Sequence, residues 1–184
     1  MNLRFQSQKK RFRKSSKYKR VRVLYQDEAG FGRMNRPRRC WSMRPIVPCH
    51  RVREYRYCYG AVDPISGDNF FIVAGNCNTE WINEFLKRLS REFKEDYLIL
   101  IMDNAVWHKS KTLNIPENIE LMFIPPYTPE LNPIEQIWKE IREKGFANEV
   151  FPTLEHVIDR LCETINNLTN EVVKSICKRE WLIG

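Results

Sequence analysis

Three carboxylic acids stand where predicted strands and a predicted helix could bring them together. Asp27 follows the first predicted strand, Asp103 follows the fourth, and Glu135 lies in the first turn of a helix. If the two strands are adjacent and parallel, both aspartates lie at the carboxyl edge of the sheet, where open α/β folds bind ligands. Three oxygen ligands without cysteine or imidazole suit Mg²⁺ or Mn²⁺ rather than zinc. Two such ions about 3.5–4 Å apart can bind the attacking and the leaving oxygen of a phosphodiester.

The residues alone also allow a purely structural role for each acid. The pair at 27–28 could polarise a turn, and the pair at 103–104 could close a strand. Glu135 has the strongest structural alternative, because Asn132 is a good helix N-cap and Pro133 would occupy the first helical position. Glu135 would then complete a capping box, and spacing alone favours a cap over a ligand there.

Apolar patterns predict the strands that would carry these acids. Strand-like alternation begins at Val21 and stops at Asp27. The continuous apolar run at 97–102 fits a strand that is buried on both faces, as in a parallel sheet. Two other runs are joined by a turn that contains Pro64 and Gly67. The predicted strands are 21–26, 54–62, 69–74, 97–102 and 119–124.

Helices are predicted where apolar residues recur at helical spacing. Thr79 is a candidate cap for the first helix, and Gly145 would close a later helix over 133–144. A short helix is predicted between the fourth and fifth strands, and two more near 153–168 and 169–178. Three consecutive strands that can pair as a meander, followed by alternating helices and strands, predict an α/β fold with a mixed sheet flanked by helices.

The formal net charge of +8 is distributed unevenly along the chain. Residues 1–56 carry 18 basic and 3 acidic side chains, a net of +15, whereas residues 57–184 carry 13 basic and 20 acidic ones, a net of −7. This polarity predicts a polyanion partner for the N-terminal part. Residues 1–20 are almost wholly polar and basic, so we expect a flexible arm or a linker to an upstream domain.

Length and composition exclude several classes of protein. At roughly 150 residues per domain, 184 residues indicate one domain with an appendage. An apolar content of 42% is enough for a core, which excludes wholesale disorder. The longest stretch without a charge is 11 residues, at 69–79, whereas a membrane span needs about 20 apolar residues. No apolar signal segment follows the basic N-terminus, so we expect a cytoplasmic protein, nucleoid-associated in a bacterium.

The six cysteines point to a reducing compartment rather than to a disulfide framework or a zinc site. They are scattered along the chain and include no C-x-x-C pair. A zinc site built from Cys40, Cys49, His50 and Cys58 is disfavoured, because its nine-residue gaps match no standard ligand spacing.

Three longer sequence blocks surround the three acids. They are LYQDEAGFG at 24–32, LIMDNAVWHKS at 100–110 and FIPPYTPELNPIEQIWKEIREKG at 123–145. Together they resemble the DDE transposases of the mariner-like superfamily, including its bacterial insertion-sequence members. The third block is the most specific, and the whole pattern spans about residues 20–146.

The resemblance implies an RNase H-like fold and a metal-dependent endonuclease and strand transferase that uses two Mg²⁺ or Mn²⁺ ions. Carried over by motif position, Asp27, Asp103 and Glu135 would be the catalytic and metal-binding acids. Asn104 and His108 would lie just outside them. The implied partner is double-stranded DNA, both transposon ends and target, with a homodimer as the active complex.

The sequence departs from the family pattern in two places. Asp103 and Glu135 are 32 positions apart, slightly fewer than the mid-thirties usual in the family, and the connection at 109–118 is the expected place of the shortening. No helix-turn-helix region precedes Val21, so we expect the catalytic half alone. It would be a truncated copy, or a catalytic subunit that works with a separately encoded helix-turn-helix subunit.

The resulting hypothesis is DNA cleavage and strand transfer by a catalytic domain at 21–150, with the basic arm at 1–20 and C-terminal helices at 151–184 packed on the domain. Basic residues in 4–22 and 33–44 would hold phosphates without reading sequence. The strongest candidates are Lys9, Lys10, Arg11, Arg13, Lys14, Arg33, Arg36, Arg38 and Arg39. Two alternatives stay open: an inactive remnant that only binds DNA or oligomerises, and another RNase H-like nuclease.

Overall fold

The structure is a computed structural model that describes residues 17–33, 39, 41, 43, 48–49, 51–105, 108, 112–125 and 131–178. These residues form five strands and four helices. The strands are β1 (Arg20–Gly32), β2 (Tyr55–Val62), β3 (Asn69–Ala74), β4 (Asp96–Met102) and β5 (Ile119–Phe123). The helices are α1 (Thr79–Glu92), α2 (Ile134–Gly145), α3 (Leu154–Asn166) and α4 (Asn170–Cys177).

The strands form one mixed sheet in the order β3-β2-β1-β4-β5. Strands β1, β2 and β3 pair antiparallel as a meander. Strand β4 pairs parallel with β1 on one side and with β5 on the other. A parallel pair needs a crossover connection, and α1 lies in the crossover that leads into β4. The prediction of a meander joined to parallel strands is confirmed.

A hydrophobic core lies on each face of the sheet. Helix α1 buries Phe85 on one face, in a cluster that includes Leu24 of β1. Helices α2, α3 and α4 cover the other face, where Trp138 and Leu161 pack in a cluster with Tyr25. Strand β4, which lies between β1 and β5, contributes to both cores, which is why its sequence is continuously apolar.

A buried ion cluster fixes the register of β1 and β4 at the end where both strands begin. The guanidinium of Arg22 donates to Asp96 at 2.5 Å and to Asp63 at 3.3 Å, and it also bonds Asp68. Arg20 donates to the second oxygen of Asp96 at 2.8 Å. Arg22 is 7% exposed, so the expectation that the basic stretch through residue 22 is available to phosphates is wrong at this position.

The prediction that the first strand stops at Asp27 is wrong, because β1 continues to Gly32. The continuation pairs with β2, from Tyr25 opposite Val62 to Gly32 opposite Tyr55. Pairing with a distant segment therefore carries β1 past the point where its local alternation stops. Asp27 lies inside a strand, which excludes the alternative of a turn residue.

Two predicted helix caps are wrong. The cap of α1 is Asn78 rather than Thr79, because the Asn78 side chain accepts a first-turn backbone N–H at 2.9 Å. The cap of α2 is Pro133, without a side-chain capping bond. Asn132 instead donates its amide to the backbone oxygen of Gln26 at 3.2 Å, so the capping box is not formed.

Some predicted features fall outside the described residues. The short helix between β4 and β5 is one of them, apart from His108, whose backbone N–H donates to the backbone oxygen of Ala105. Residues 1–16 of the basic arm are another. In the described part of the chain, no helix is both long and apolar enough to cross a membrane. Helices α3 and α4 share a core with α2, and the division of the chain near residue 150 stays a prediction.

Candidate active site

The parallel pairing of β1 with β4 brings Asp27 and Asp103 next to each other. Tyr25 lies opposite Ile101 in this pairing, and each aspartate is two residues further along its own chain segment. Side chains alternate between the faces of a sheet, so both aspartate positions are on the side of Tyr25 and Ile101. That side is covered by α2, which carries the third acid. The strands are thus adjacent and parallel, as the hypothesis required.

Asp27 lies in a partly buried position below α2. Its Oδ2 accepts a hydrogen bond from the indole N–H of Trp138 at 2.9 Å. Burial and then the nearby charge of Glu135 raise the pKa of Asp27 to about 7, although the Trp138 bond lowers it. Trp138 is buried in the core, and its bond to Asp27 could not be predicted because the sequence does not show what the indole N–H of a core tryptophan faces.

Gly60 makes room for Trp138 beside Asp27. It lies directly opposite Asp27 in the pairing of β1 with β2. A Cβ atom there would be 2.7 Å from the Trp138 ring and 2.6 Å from the Phe71 ring. Such distances are below van der Waals contact, so only glycine lets the indole lie on the sheet at this point.

Glu135 projects from the first turn of α2. The helix is amphipathic, and Ile134, Ile137, Trp138 and Ile141 are buried against the sheet. Glu135 is exposed, and its charge acts on Asp27. The first turn of a helix favours a carboxylate, because the unpaired N–H groups there carry a partial positive charge.

Asn132 links the start of α2 to β1. Its amide nitrogen donates to the backbone oxygen of Gln26, the residue before Asp27. This bond fixes the orientation of the amide, and Asn132 Oδ1 is then buried without a hydrogen-bond partner among the residues that the structure describes. A buried acceptor without a donor costs about 1–3 kcal/mol. Asn132 therefore offers an oxygen at the junction of the two elements that carry Asp27 and Glu135.

Asp103 is half exposed at the end of β4. Its Oδ1 accepts the backbone N–H of Ala105 at 2.9 Å and lies 2.9 Å from Nδ1 of His108. The bond to His108 keeps the pKa of Asp103 below its ordinary value. Asn104, the next residue, turns away and donates its amide to the backbone oxygen of Ile124. Asn104 thus joins the ends of β4 and β5 rather than contacting an acid of the site.

His108 is buried between two carboxylates. Besides Asp103, its Nε2 lies 2.9 Å from Oε1 of Glu28. Burial lowers the pKa of His108, but the bonds to Asp103 and Glu28 outweigh it and raise that pKa to about 9. The local sequence around Glu28 predicts only a turn residue. The signal that could have placed it was strand alternation, which puts Glu28 on the face opposite Asp27 once β1 is known to continue.

The donor chemistry of the three acids fits Mg²⁺ or Mn²⁺, which prefer carboxylate oxygens. Within the described residues, no group of three or more His, Cys, Asp or Glu side chains is arranged to hold a metal ion. Asp103 is hydrogen-bonded to His108 rather than grouped with the other two acids. Asp27 and Glu135 repel each other, which contributes to the raised pKa of Asp27. A divalent cation between these two acids would relieve that repulsion.

The predicted phosphate-binding residues lie mostly outside the described residues. Arg39 is described and exposed. Arg33 has partners within the chain, because its guanidinium donates to the backbone oxygen of Phe151 at 3.0 Å and to Glu54 at 2.7 Å. A phosphate at Arg33 would have to compete with Glu54. The residues outside the described part are Lys9, Lys10, Arg11, Arg13, Lys14, Arg36 and Arg38.

Sequence comparison decides the family. The sequence model of the DDE superfamily endonucleases matches residues 22–158, a segment that contains all three acids. The chain belongs to this family. An uncharacterized protein of Sinorhizobium fredii is 36% identical over 130 residues, which are 69% of this chain and 96% of that protein. Recognition of a DDE-type catalytic domain from the three sequence blocks is therefore confirmed.

The fold is similar to that of solved structures of the Mos1 mariner transposase. A pre-cleavage Mos1 transpososome matches with a TM-score of 0.67 at 17% identity, over 94% of this chain and 56% of the Mos1 chain. The Mos1 strand transfer complex matches with a TM-score of 0.64 at 18% identity, over 94% and 54%. The Mos1 paired-end complex with Mn matches with a TM-score of 0.63 at 18% identity, over 85% and 51%. The chain spans about half the length of these Mos1 chains, and the RNase H-like fold is confirmed.

Proposed function

We propose that this DDE-family domain is the catalytic part of an insertion-sequence transposase that cleaves DNA and joins the freed 3′-OH to a target. The observation that carries the proposal is the placement of the three acids. Asp27 lies in β1, and Asp103 directly follows β4, the strand that pairs parallel with β1. Glu135 lies on the helix that covers the same face, close enough to act on Asp27.

Asp27, Asp103 and Glu135 would hold Mg²⁺ or Mn²⁺, in keeping with Mos1 complexes that contain Mn or Mg. Divalent ions supply Lewis-acid stabilisation of the oxygens that enter and leave the phosphorus atom. Trp138 holds Asp27 by its N–H, and the bond of Asn132 to Gln26 holds the start of α2 against β1. These contacts keep the acids on two different elements at a fixed separation.

The proposed partner is double-stranded DNA. The matched Mos1 structures are named as a strand transfer complex and a paired-end complex with a transposon end, which supports DNA ends and target as the substrates here. The N-terminal net charge of +15 would bind phosphates without reading sequence. Cutting and joining two ends calls for two catalytic domains, so we propose a homodimer in the active complex.

The test is a cleavage assay on supercoiled plasmid with the full chain. We expect nicking and strand transfer with Mg²⁺ or Mn²⁺ and none with excess chelator. Asp103→Asn should reduce the rate by about 10²–10³-fold, because it removes a carboxylate proposed to hold the divalent ion that stabilises the transition-state charge. Glu84→Gln is the control, since Glu84 lies on α1 and pairs with Arg88.

Three outcomes would separate the alternatives. Activity that persists in Asp103→Asn would exclude the proposed site. DNA binding without metal-dependent cleavage would favour the inactive remnant. Hydrolysis of an RNA–DNA hybrid or of a junction, without strand transfer, would favour a different RNase H-like nuclease.

A further inference from the structure

Glu28 is a buried acid that the three-acid site does not use. It follows Asp27 in β1, so its side chain points to the opposite face, where Leu24 packs in the α1 core. The Glu28 side chain is only 6% exposed. A carboxylate is kept at such a depth only when it is paired, because desolvation of an unpaired charge is costly. The partner of Glu28 is His108, and this pairing indicates what Glu28 does.

His108 connects Glu28 to Asp103. Its Nε2 lies 2.9 Å from Glu28 Oε1, and its Nδ1 lies 2.9 Å from Asp103 Oδ1. The imidazole is fully buried. Both of its nitrogens face carboxylate oxygens, so each can donate one hydrogen bond. The ring thus runs from the α1 side of the sheet to the side that carries Asp27.

Gln26 holds Glu28 from within the same strand. Its amide nitrogen donates to Glu28 Oε1 at 3.0 Å, the oxygen that also faces His108. Gln26 is fully buried in the central strand of the sheet. The Glu28 carboxylate is therefore fixed by a rigid element, whereas Asp103 lies just beyond the end of β4 with its side chain 49% exposed. This series of contacts thus connects the buried Glu28 carboxylate, through His108, to the exposed Asp103 carboxylate.

We propose that Glu28, acting through His108, is a positioning residue that orients the Asp103 carboxylate for metal binding. The inference rests on the proposed function, in which Asp103 is a metal ligand. Without Glu28, His108 loses the anchor on its Nε2, and the carboxylate at the end of β4 loses its fixed orientation. Mutation of a residue that hydrogen-bonds a metal ligand typically lowers metal affinity or activity by about 10–100-fold.

Binding of Mn²⁺ to the full chain without DNA tests this separately from catalysis. The signal of free Mn²⁺ in electron paramagnetic resonance gives the affinity directly. Glu28→Gln keeps the size of the side chain and removes its charge, and we expect affinity about 10–100-fold weaker than wild type. Wild-type affinity in Glu28→Gln would overturn the proposal.

Asp96→Asn is the matched control. Asp96 is also a buried carboxylate, with a side chain 5% exposed, and it pairs with Arg22 at the opposite end of β4. Its loss destabilises the fold but leaves the metal ligands in place, so Mn²⁺ affinity should change by less than about twofold. A loss as large as that in Glu28→Gln would show a general effect of stability and overturn the proposal.

A double-mutant cycle tests the path through His108. In a His108→Ala background, Glu28→Gln should change Mn²⁺ affinity by less than about twofold, because the link is already broken. If Glu28→Gln lowered Mn²⁺ affinity as much in this background as it does in the wild type, positioning through His108 would be overturned. If Glu28→Gln does not fold, His108→Asn breaks the same link, since the shorter side chain leaves no donor near Glu28. It should then weaken Mn²⁺ binding, and wild-type affinity would again overturn the proposal.

Asp103→Asn distinguishes failure of this inference from failure of the proposed function. Weaker binding of Mn²⁺ in Asp103→Asn, together with wild-type binding in Glu28→Gln, would overturn the inference alone. Unchanged binding in Asp103→Asn would overturn the metal site itself, and the inference with it.

Discussion

The carboxyl group of Asp27 lies in a place that disfavours its charged form. Burial and the charge of Glu135 raise its pKa from an ordinary value of 3.8 to about 7. Since the folded protein binds this proton more tightly than the unfolded chain, Asp27 contributes stability below pH 3.8. That contribution is lost as the pH rises through about 7. The metal-free fold therefore has a destabilising group at its centre at neutral pH.

Asp27→Asn should consequently stabilise the metal-free protein at pH 8 relative to wild type. Asparagine keeps an oxygen acceptor for the Trp138 N–H and removes the charge. Allowing for partial exposure, we expect a gain on the order of 1–2 kcal/mol at pH 8 that shrinks toward pH 4. Urea unfolding in chelator at both pH values measures it. Glu84→Gln on α1 should show no such difference, and a gain independent of pH would contradict the raised pKa.

Residue types and spacing selected the three acids as candidates, because the chemistry of a carboxylate is visible in the sequence. They did not identify Glu28, which has the same chemistry and differs from Asp27 only in the face to which it points. They also did not identify the donor role of Trp138. Both depend on what lies opposite a side chain in space, and no local pattern records that.

At the scale of elements, α2 lies close to the sheet because β2 has a glycine beneath it. Gly60 is directly opposite Asp27, and the rings of Trp138 and Phe71 occupy the space of its missing side chain. The close approach lets the Trp138 indole reach Asp27. The position of α2, and with it that of Glu135, thus depends on this one glycine.

Gly60→Ala should therefore destabilise the fold by about 1–3 kcal/mol, because the added methyl group must displace two packed rings. Gly30→Ala is the matched control in the neighbouring strand. A Cβ there would meet its nearest neighbour, Tyr57, at an ordinary 3.7 Å, so the change should be within about 0.5 kcal/mol. Thermal unfolding of both variants checks this, and equal stabilities would contradict the packing argument.

Most elements were predicted from local patterns, and the errors at β1 and α2 share one cause. Strand β3 matches its predicted bounds, and β2 and β4 match within one residue. The end of β1 was wrong because its last residues are held by pairing with β2. The cap of α2 was wrong because Asn132 bonds a strand 106 positions away in sequence. In each case a long-range contact replaced the local preference.

At the scale of the whole molecule, basic charge and acidic site belong to different parts of the chain. Residues 1–16 carry six basic and no acidic side chains, and they precede β1. Some basic residues nearer the sheet are already paired, such as Lys19 with Glu95 and Arg22 with three aspartates. Binding of phosphates by the N-terminal part is therefore expected to depend mainly on the arm.

Deletion of residues 1–16 should lower DNA affinity and flatten its dependence on salt. Each phosphate contact contributes a slope of about 0.9 in the logarithm of the binding constant against that of salt concentration. Fluorescence anisotropy over a salt series measures the slope. A full-length variant with the six basic residues replaced by glutamine should behave like the deletion. An unchanged slope in both would place the phosphate contacts elsewhere.

The sequence by itself determined the type of most elements, the charge of the arm and the choice of the three acids as candidates, because these follow from side-chain chemistry and short-range periodicity. It also carried the three blocks by which the family is recognised. Only the tertiary structure decided that β1 continues through Asp27, that Trp138 lies over Gly60, and that Glu28 reaches Asp103 through His108. The physical reason is that alternation fixes which residues share a face. Strand pairing and helix packing between distant segments fix what that face meets.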